Sequence, residues 1–195
     1  ITQPCGSMVI DMGGGTTDIA VISLGGIVHS ASIRIAGDTF DEAIIKYIRR
    51  KYNILVGERT AEELKTKLGC VSKRPKLLAM EVRGRSLISG LPKTLQVTSD
   101  EMYEAMSEVS GTIVDSVKNV LEETPPELVS DISNRGIILT GGGATMYGFG
   151  ELIRSQTGIK TVIASEPDEC VAQGTGKALE NISLLKTYNE RRAAR

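Results

Sequence analysis

The stretch Asp11-Met12-Gly13-Gly14-Gly15-Thr16-Thr17-Asp18 places three consecutive glycines between two carboxylates, directly after the apolar run Met8-Val9-Ile10. Glycine suits a tight turn, and it also lets another group come close to the backbone. One triplet by itself leaves both interpretations open: a plain turn, or a turn whose bare backbone meets a ligand.

The residues around this triplet predict a small antiparallel meander. Residues 7–11 and 17–24 are short runs rich in β-branched residues, and residues 27–35 alternate between apolar and polar. Gly25-Gly26 marks a hairpin between the second and third runs. The triplet therefore falls at the first turn of a three-stranded unit.

Helical spacing follows the meander. Asp38 can cap a helix, a second helix is predicted over residues 60–68, and Thr98 with Glu101 forms a capping box before a long apolar stripe that ends near Leu121. Two strands are predicted at residues 77–82 and 94–97. Pro125-Pro126 ends the long helix.

After those prolines the pattern becomes βαβα. Strands are predicted at residues 136–140 and 161–164, with helices at about 148–156 and from 167 to about 185. We therefore predict an α/β fold: a lobe built from the two ends of the chain, with a smaller α+β insertion between them.

Composition excludes several classes of protein. Of 195 residues, 23 are Lys or Arg and 24 are Asp or Glu, so the net charge of -1 predicts no nucleic-acid partner. The three cysteines form no C-x-x-C pair, which favours a reducing compartment over a zinc site or disulfide framework. No apolar run approaches the roughly 20 residues that cross a bilayer. We expect a cytoplasmic, soluble chain without direct membrane contact.

A second triplet, in Leu139-Thr140-Gly141-Gly142-Gly143-Ala144, also follows an apolar strand. Two such junctions favour a nucleotide site. Backbone N–H groups of the first turn could hold terminal phosphates. The second triplet precedes a helical pattern and could hold the other end of the nucleotide. Asp11 suits water-mediated Mg²⁺ binding, and the Thr16 hydroxyl could meet phosphate or water. The chain has neither a P-loop nor a G-x-G-x-x-G dinucleotide motif.

These motifs resemble the actin-like ATPase superfamily, and in particular the MreB family of bacterial cell-shape proteins. DMGGGTTD, AGDTFDEAI, GERTAEELK, LPKT, TPPEL, RGIILTGGGA and GTGKALE carry the resemblance, from about Gly6 to about Leu185. It implies a ribonuclease H-like lobe with a mixed sheet and flanking helices. Residues 1–36 and 128–195 would form subdomain IIA, and residues 37–127 the inserted subdomain IIB. The first lobe would be absent.

The resemblance also implies roles for individual residues. Gly13, Gly14 and Gly15 would face the β- and γ-phosphates of ATP, Asp11 would act on Mg²⁺ through water, and Thr16 would help to orient the attacking water. The nucleoside side would comprise Gly141, Gly142, Gly143 and Ala144, with Ala61, Glu62, Glu63 and Leu64 from the insertion. Glu62 is the best candidate for the ribose, and Lys65 would lie near the base, although spacing alone predicts a solvated helix face for both.

The function implied is that of an ATP-binding bacterial cytoskeletal protein that forms filaments and organises peptidoglycan synthesis for rod shape. Transmembrane cell-shape proteins are the implied partners, and full-length members would be membrane-associated through the first lobe. Full-length members are slow ATPases, so we expect this half-site alone to be inactive. The alternatives are a small-molecule kinase or a chaperone-type ATPase of the same superfamily. A lone His29, predicted on a strand, and the Lys73-Arg74-Pro75-Lys76 loop are expected to be solvated or structural.

Overall fold

The computed structural model describes residues 5–180 of the chain. Its larger sheet contains β1 (Ser7–Met12), β2 (Thr17–Ser23), β3 (Gly26–Ile33), β7 (Ile137–Thr140) and β8 (Thr161–Ile163), in the order β3-β2-β1-β7-β8. The first three strands are antiparallel, which confirms the predicted meander. The last two run parallel to β1, so the sheet is mixed as predicted.

Alternation along the strands buries one face of this sheet. Met8, Ile10 and Met12 of β1 are at most 2% exposed, while the residues between them are partly exposed. Because strand side chains alternate between faces, this pattern directs one row of β1 into the core. Ile137 and Leu139 of β7 are fully buried and continue the same layer.

A smaller sheet lies within residues 54–98. It consists of β4 (Ile54–Leu55), β5 (Ala79–Ser86) and β6 (Pro92–Thr98), paired antiparallel in the order β4-β5-β6. The predicted strands at 77–82 and 94–97 are thus present and longer than expected. The two-residue β4 is too short to leave a periodic signal, and sequence analysis missed it.

Six α-helices complete residues 5–180: α1 (Gly37–Tyr52), α2 (Glu58–Leu68), α3 (Ser99–Glu122), α4 (Pro126–Arg135), α5 (Phe149–Thr157) and α6 (Cys170–Glu180). Sequence analysis missed α4, because it treated Pro125-Pro126 only as a stop. Pro126 begins a new helix at a position where its missing N–H costs nothing. The predicted end of the last helix, near Leu185, lies outside the described residues.

Helix α3 connects the two sheets, and α1 packs against α3 and β4. Helix α3 packs against β2, β3, α1 and α5, and it also contacts α2 and β6. Both helices fall inside the predicted insertion 37–127, yet α3 covers the buried face of the larger sheet. The division of the chain at residues 37 and 127 stays a prediction.

The capping box at the start of α3 forms as expected. The Thr98 hydroxyl accepts from the Glu101 N–H at 3.4 Å, and Glu101 Oε2 accepts from the Thr98 N–H at 2.8 Å.

No helix within residues 5–180 combines the length and the apolar character that a membrane span requires.

Candidate functional site

The two glycine triplets open onto one cleft. Asp11 of β1 lies directly beside Thr140 of β7 in parallel register, so both strands deliver their triplets to the same end of the sheet. The cleft has a volume of about 590 Å³. It is lined by Met12, Gly13, Gly14, Gly37, Phe40, Glu62, Lys65, Thr66, Gly69, Arg74, Gly142, Gly143, Thr145, Met146 and Tyr147.

The first triplet forms an exposed turn that rests on the start of α1. Gly13 N–H donates to the Thr16 carbonyl at 3.0 Å and closes the turn. Gly37 N–H then donates to the Gly13 carbonyl at 3.2 Å, and Asp38 N–H to the Gly14 carbonyl at 2.8 Å. Two carbonyls of the turn therefore point at α1, and the side of the turn that faces away from α1 is open to a ligand.

The second triplet presses against β1. Gly141 has φ +80° and ψ 163°, a conformation that is essentially restricted to glycine. A Cβ on Gly141 would lie 2.4 Å from the Met12 carbonyl oxygen and 2.5 Å from Asp11 Oδ1. The next residues, Gly142–Thr145, form one 3-10 turn, and α5 begins only at Phe149. The helical pattern after the triplet is thus a short turn followed by a separate helix.

Acidic side chains surround the turn at residues 13–15. Asp11 is directly opposite Asp18 across β1 and β2, and burial first, then the charge of Asp18, raises the pKa of Asp11 above its ordinary value. The Thr16 hydroxyl donates to Asp18 Oδ2 at 3.0 Å. Asp38 lies inside the first turn of α1, whose N-cap is Ala36, so the predicted cap at Asp38 is wrong. Asp38 is close enough to the turn that a Cβ on Gly14 would be 3.6 Å from its Oδ1.

The four predicted residues of α2 separate into different environments. Glu62 lines the cleft. Ala61 and Leu64 are fully buried in the core, and Glu63 pairs with Lys67 at 2.6 Å on the outer side of the helix. Helical geometry explains the separation, because adjacent positions point in different directions.

The structure thus brings together around the cleft Gly13, Gly14, Glu62, Gly142 and Gly143. Asp11, Gly15, Thr16 and Gly141 adjoin those residues without lining the cleft themselves. Ala61, Leu64 and Ala144 are buried, and Glu63 faces away. None of these four residues lines the cleft, so their contact with a nucleoside stays a prediction without support from the geometry of the cleft.

Lys65 occupies an unexpected place. Its Nζ donates to Asp41 Oδ2 at 2.6 Å and to the Gly37 carbonyl at 3.0 Å, so it bridges α2 to α1. Burial raises the pKa of Asp41 above its ordinary value of 3.8, and the Lys65 charge offsets this only in part. Lys65 therefore has a partner on α1, and the solvated face that spacing predicts is wrong for this residue.

Sequence analysis missed one wall of the cleft, formed by Arg74 and Tyr147. The Arg74 guanidinium lies 4.1 Å from the centre of the Tyr147 ring and donates to the Gly69 carbonyl at 3.1 Å. The expectation of a solvated 73–76 loop is therefore wrong for Arg74. A possible signal was the position of Tyr147, four residues after Gly143 on the segment that the triplet introduces.

This mixed sheet, with glycine triplets at the ends of two parallel strands, defines an actin-like fold. Two solved structures of MreB5 from Spiroplasma citri superpose with a TM-score of 0.90: one, bound to ADP, is 41% identical, and the other, bound to AMPPNP, is 40% identical. They cover 93% and 96% of this chain, which covers 55% and 56% of theirs. The MamK double helical filament, 20% identical over 83% of this chain and half of that one, shares the fold with a TM-score of 0.69.

A family model described as MreB/Mbl protein matches residues 1–187. The chain is 52% identical to the cell shape-determining protein Mbl of Bacillus cereus, over 95% of its own length and 56% of that protein. It is 50% identical to MreB of Escherichia coli K12, over 94% of its length and 53% of that protein. The chain belongs to the MreB/Mbl family, which confirms the resemblance, and it spans just over half the length of these relatives.

Proposed function

We propose that this chain is the C-terminal half of an actin-like, ATP-binding bacterial cytoskeletal protein that forms filaments and organises cell-wall synthesis for rod shape. The observation that carries the proposal is the convergence of Gly13-Gly14 and Gly142-Gly143 with Glu62 on one cleft. Bare backbone and a carboxylate on one cleft match the phosphate and ribose parts of a nucleotide. The MreB5 structures bound to ADP and AMPPNP support this choice of ligand.

In this proposal the phosphates meet the turn at Gly13–Gly15, and the ribose meets Glu62. The Arg74–Tyr147 stack supplies a flat surface for the base, because guanidinium and aromatic planes both suit a π-system. Thr16, held by Asp18, borders the phosphate turn, where an attacking water would be oriented.

Mg²⁺ fits the acidic side of the turn. Among residues 5–180, no three acidic, His or Cys side chains lie close enough to hold a metal ion by themselves. Mg²⁺ commonly takes one or two carboxylates, water and phosphate oxygens, so Asp11 could hold it through water once phosphates are present. The ion would neutralise phosphate charge, and it would also relieve the repulsion between Asp11 and Asp18.

The nucleotide would act as an assembly switch. Closing two lobes around phosphates changes the surface that each subunit offers to the next. Self-association, transmembrane cell-shape partners and a cytoplasmic location belong to the same proposal and rest on family membership.

Because the relatives are almost twice as long, we propose that residues 1–195 alone bind ATP weakly and hydrolyse it at no appreciable rate.

The test uses the full-length protein that contains this chain, with two neighbouring variants. Glu62→Gln should weaken ATP binding about tenfold or more, because a hydrogen bond to a charged group contributes about 1.5–3 kcal/mol. Glu63→Gln makes the same chemical change one residue away, on a side chain outside the cleft, and should bind within about twofold of wild type. Calorimetric titration measures both affinities.

Electron microscopy of the wild-type protein with ATP tests the assembly part. Filaments that require nucleotide support the proposal. Absence of filaments together with turnover stimulated by a sugar or a peptide would favour the kinase or chaperone alternatives. Equal affinities for the Glu62 and Glu63 variants would contradict the assignment of the cleft.

A further inference from the structure

Lys65, which lines the cleft, joins helices α1 and α2. Its ammonium group contacts Asp41 and the Gly37 carbonyl on α1, and the Lys65 and Asp41 side chains are only 16% and 14% exposed. Lys67, two residues later on α2, is 60% exposed and pairs with Glu63 of its own helix. Lys65 therefore links separate elements, whereas Lys67 makes an ordinary surface pair.

The carbonyl that Lys65 reaches belongs to the same peptide unit as the Asp38 N–H. That N–H donates to the Gly14 carbonyl at 2.8 Å. Because a peptide unit is rigid and planar, a movement of its oxygen is transmitted to its N–H. A hydrogen bond to the oxygen also polarises the unit and strengthens the bond that its N–H donates. One peptide plane thus connects Lys65 to the phosphate turn.

Close packing adds to this connection. A Cβ on Gly37 would lie 3.3 Å from Gly14 Cα and 3.4 Å from the carbonyl oxygens of Gly13 and Gly14. The backbone of α1 therefore touches the turn directly, and the turn cannot shift toward α1 without displacing the helix start. A displacement of the helix start would in turn change both contacts of Lys65.

Stability alone gives a poor account of this ion pair. Asp41 Oδ1 is buried and, in the described part of the chain, has no hydrogen-bond partner. Burying a carboxylate and an ammonium group costs solvation energy that their attraction repays only with complete hydrogen bonding. An incompletely bonded, largely buried pair on the lining of the cleft is better suited to setting geometry.

We infer that Lys65 is a positioning residue that ties helix α2, which carries Glu62, to the phosphate turn at Gly13 and Gly14. The inference rests on the proposed function, because it assumes that a nucleotide touches both elements. Phosphates that order the turn then order α2 through Lys65, so the ribose side of the cleft responds to the number of phosphates bound.

The test compares ATP with AMP in the full-length protein. The double variant Asp41→Asn/Lys65→Met removes both charges and leaves the net charge unchanged, so long-range attraction for phosphates is preserved. We expect its affinity for ATP to fall about tenfold and its affinity for AMP to change less than about twofold, within the range of measured couplings. Lys67→Met is the control and should bind both nucleotides within about twofold of wild type.

The outcomes separate the two proposals. Failure of the wild-type protein to bind either nucleotide would remove the proposed function, and this inference with it. Wild-type binding with an unchanged double variant would overturn the inference alone. An equal loss for ATP and AMP would do the same, since it would make Lys65 a direct or merely structural contributor.

Hydrogen exchange in the wild-type protein provides a measurement that does not depend on how the variant folds. Amides of residues 58–68, covering α2, should exchange more slowly with saturating ATP than with saturating AMP, because only ATP fills the phosphate turn. Equal protection of α2 by the two nucleotides would refute the coupling.

Discussion

Replacing Gly141 by alanine should destabilise the fold strongly. The new Cβ would lie 2.4 Å from the Met12 carbonyl oxygen, 2.5 Å from Asp11 Oδ1 and 2.7 Å from the Met12 carbonyl carbon. The two Met12 atoms are backbone of β1, a central strand, so they cannot move aside as a flexible side chain could. A non-glycine residue in this backbone region costs about 1–3 kcal/mol. Relief of the overlap costs typically about 1–3 kcal/mol more.

The total of about 2–6 kcal/mol is a large share of a typical domain stability of about 5–15 kcal/mol. Gly142→Ala is the matched control, because a Cβ on Gly142 would meet nothing within 4 Å and its φ is not positive. The control should change stability by less than about 1 kcal/mol. Because Gly142 lines the cleft, the Gly142→Ala substitution can still weaken the proposed nucleotide binding.

Urea denaturation followed by circular dichroism measures both variants. With an m-value of about 2 kcal/mol per M, a loss of 4 kcal/mol lowers the midpoint by about 2 M. A Gly141→Ala midpoint within about 0.3 M of wild type would refute the reasoning. It would mean that β1 and the segment after β7 separate easily, and that the triplet is not needed for close approach.

Two further predictions concern groups outside the cleft. Glu101→Gln should cost about 2 kcal/mol by thermal unfolding, because Glu101 accepts hydrogen bonds from Lys51 and Tyr52. Although burial raises the pKa of Glu101, these hydrogen bonds outweigh it and lower the pKa below its ordinary value of 4.5. The stabilisation is therefore complete above about pH 5 and is lost as the pH falls through the lowered pKa, so the gap between wild type and variant should narrow in acid. Cys70 is 1% exposed, and burial raises the pKa of its thiol. A thiol reagent should therefore modify Cys170 in the folded protein and Cys70 only on unfolding. Rapid labelling of Cys70 in the folded protein would contradict its burial.

The elements that sequence analysis found are those whose signal is local. Alternation and the Gly25-Gly26 hairpin predict the meander, and Thr98 with Glu101 predicts the start of α3, because each depends on neighbours within a few residues. Helix α4 was missed, since Pro126 can both end one helix and begin another. Strand β4 was missed because two residues carry no period.

By itself, the sequence determined that two strands end in glycine triplets and that a carboxylate precedes the first. Only the tertiary structure decided that the parallel pairing of β1 with β7 brings the triplets together, because register is a property of two distant segments. It also decided which side chains of α2 face the cleft, and it paired Lys65 with Asp41, 24 residues away, in place of a solvated surface position. Contacts of this kind depend on how helices pack, and no local spacing encodes them.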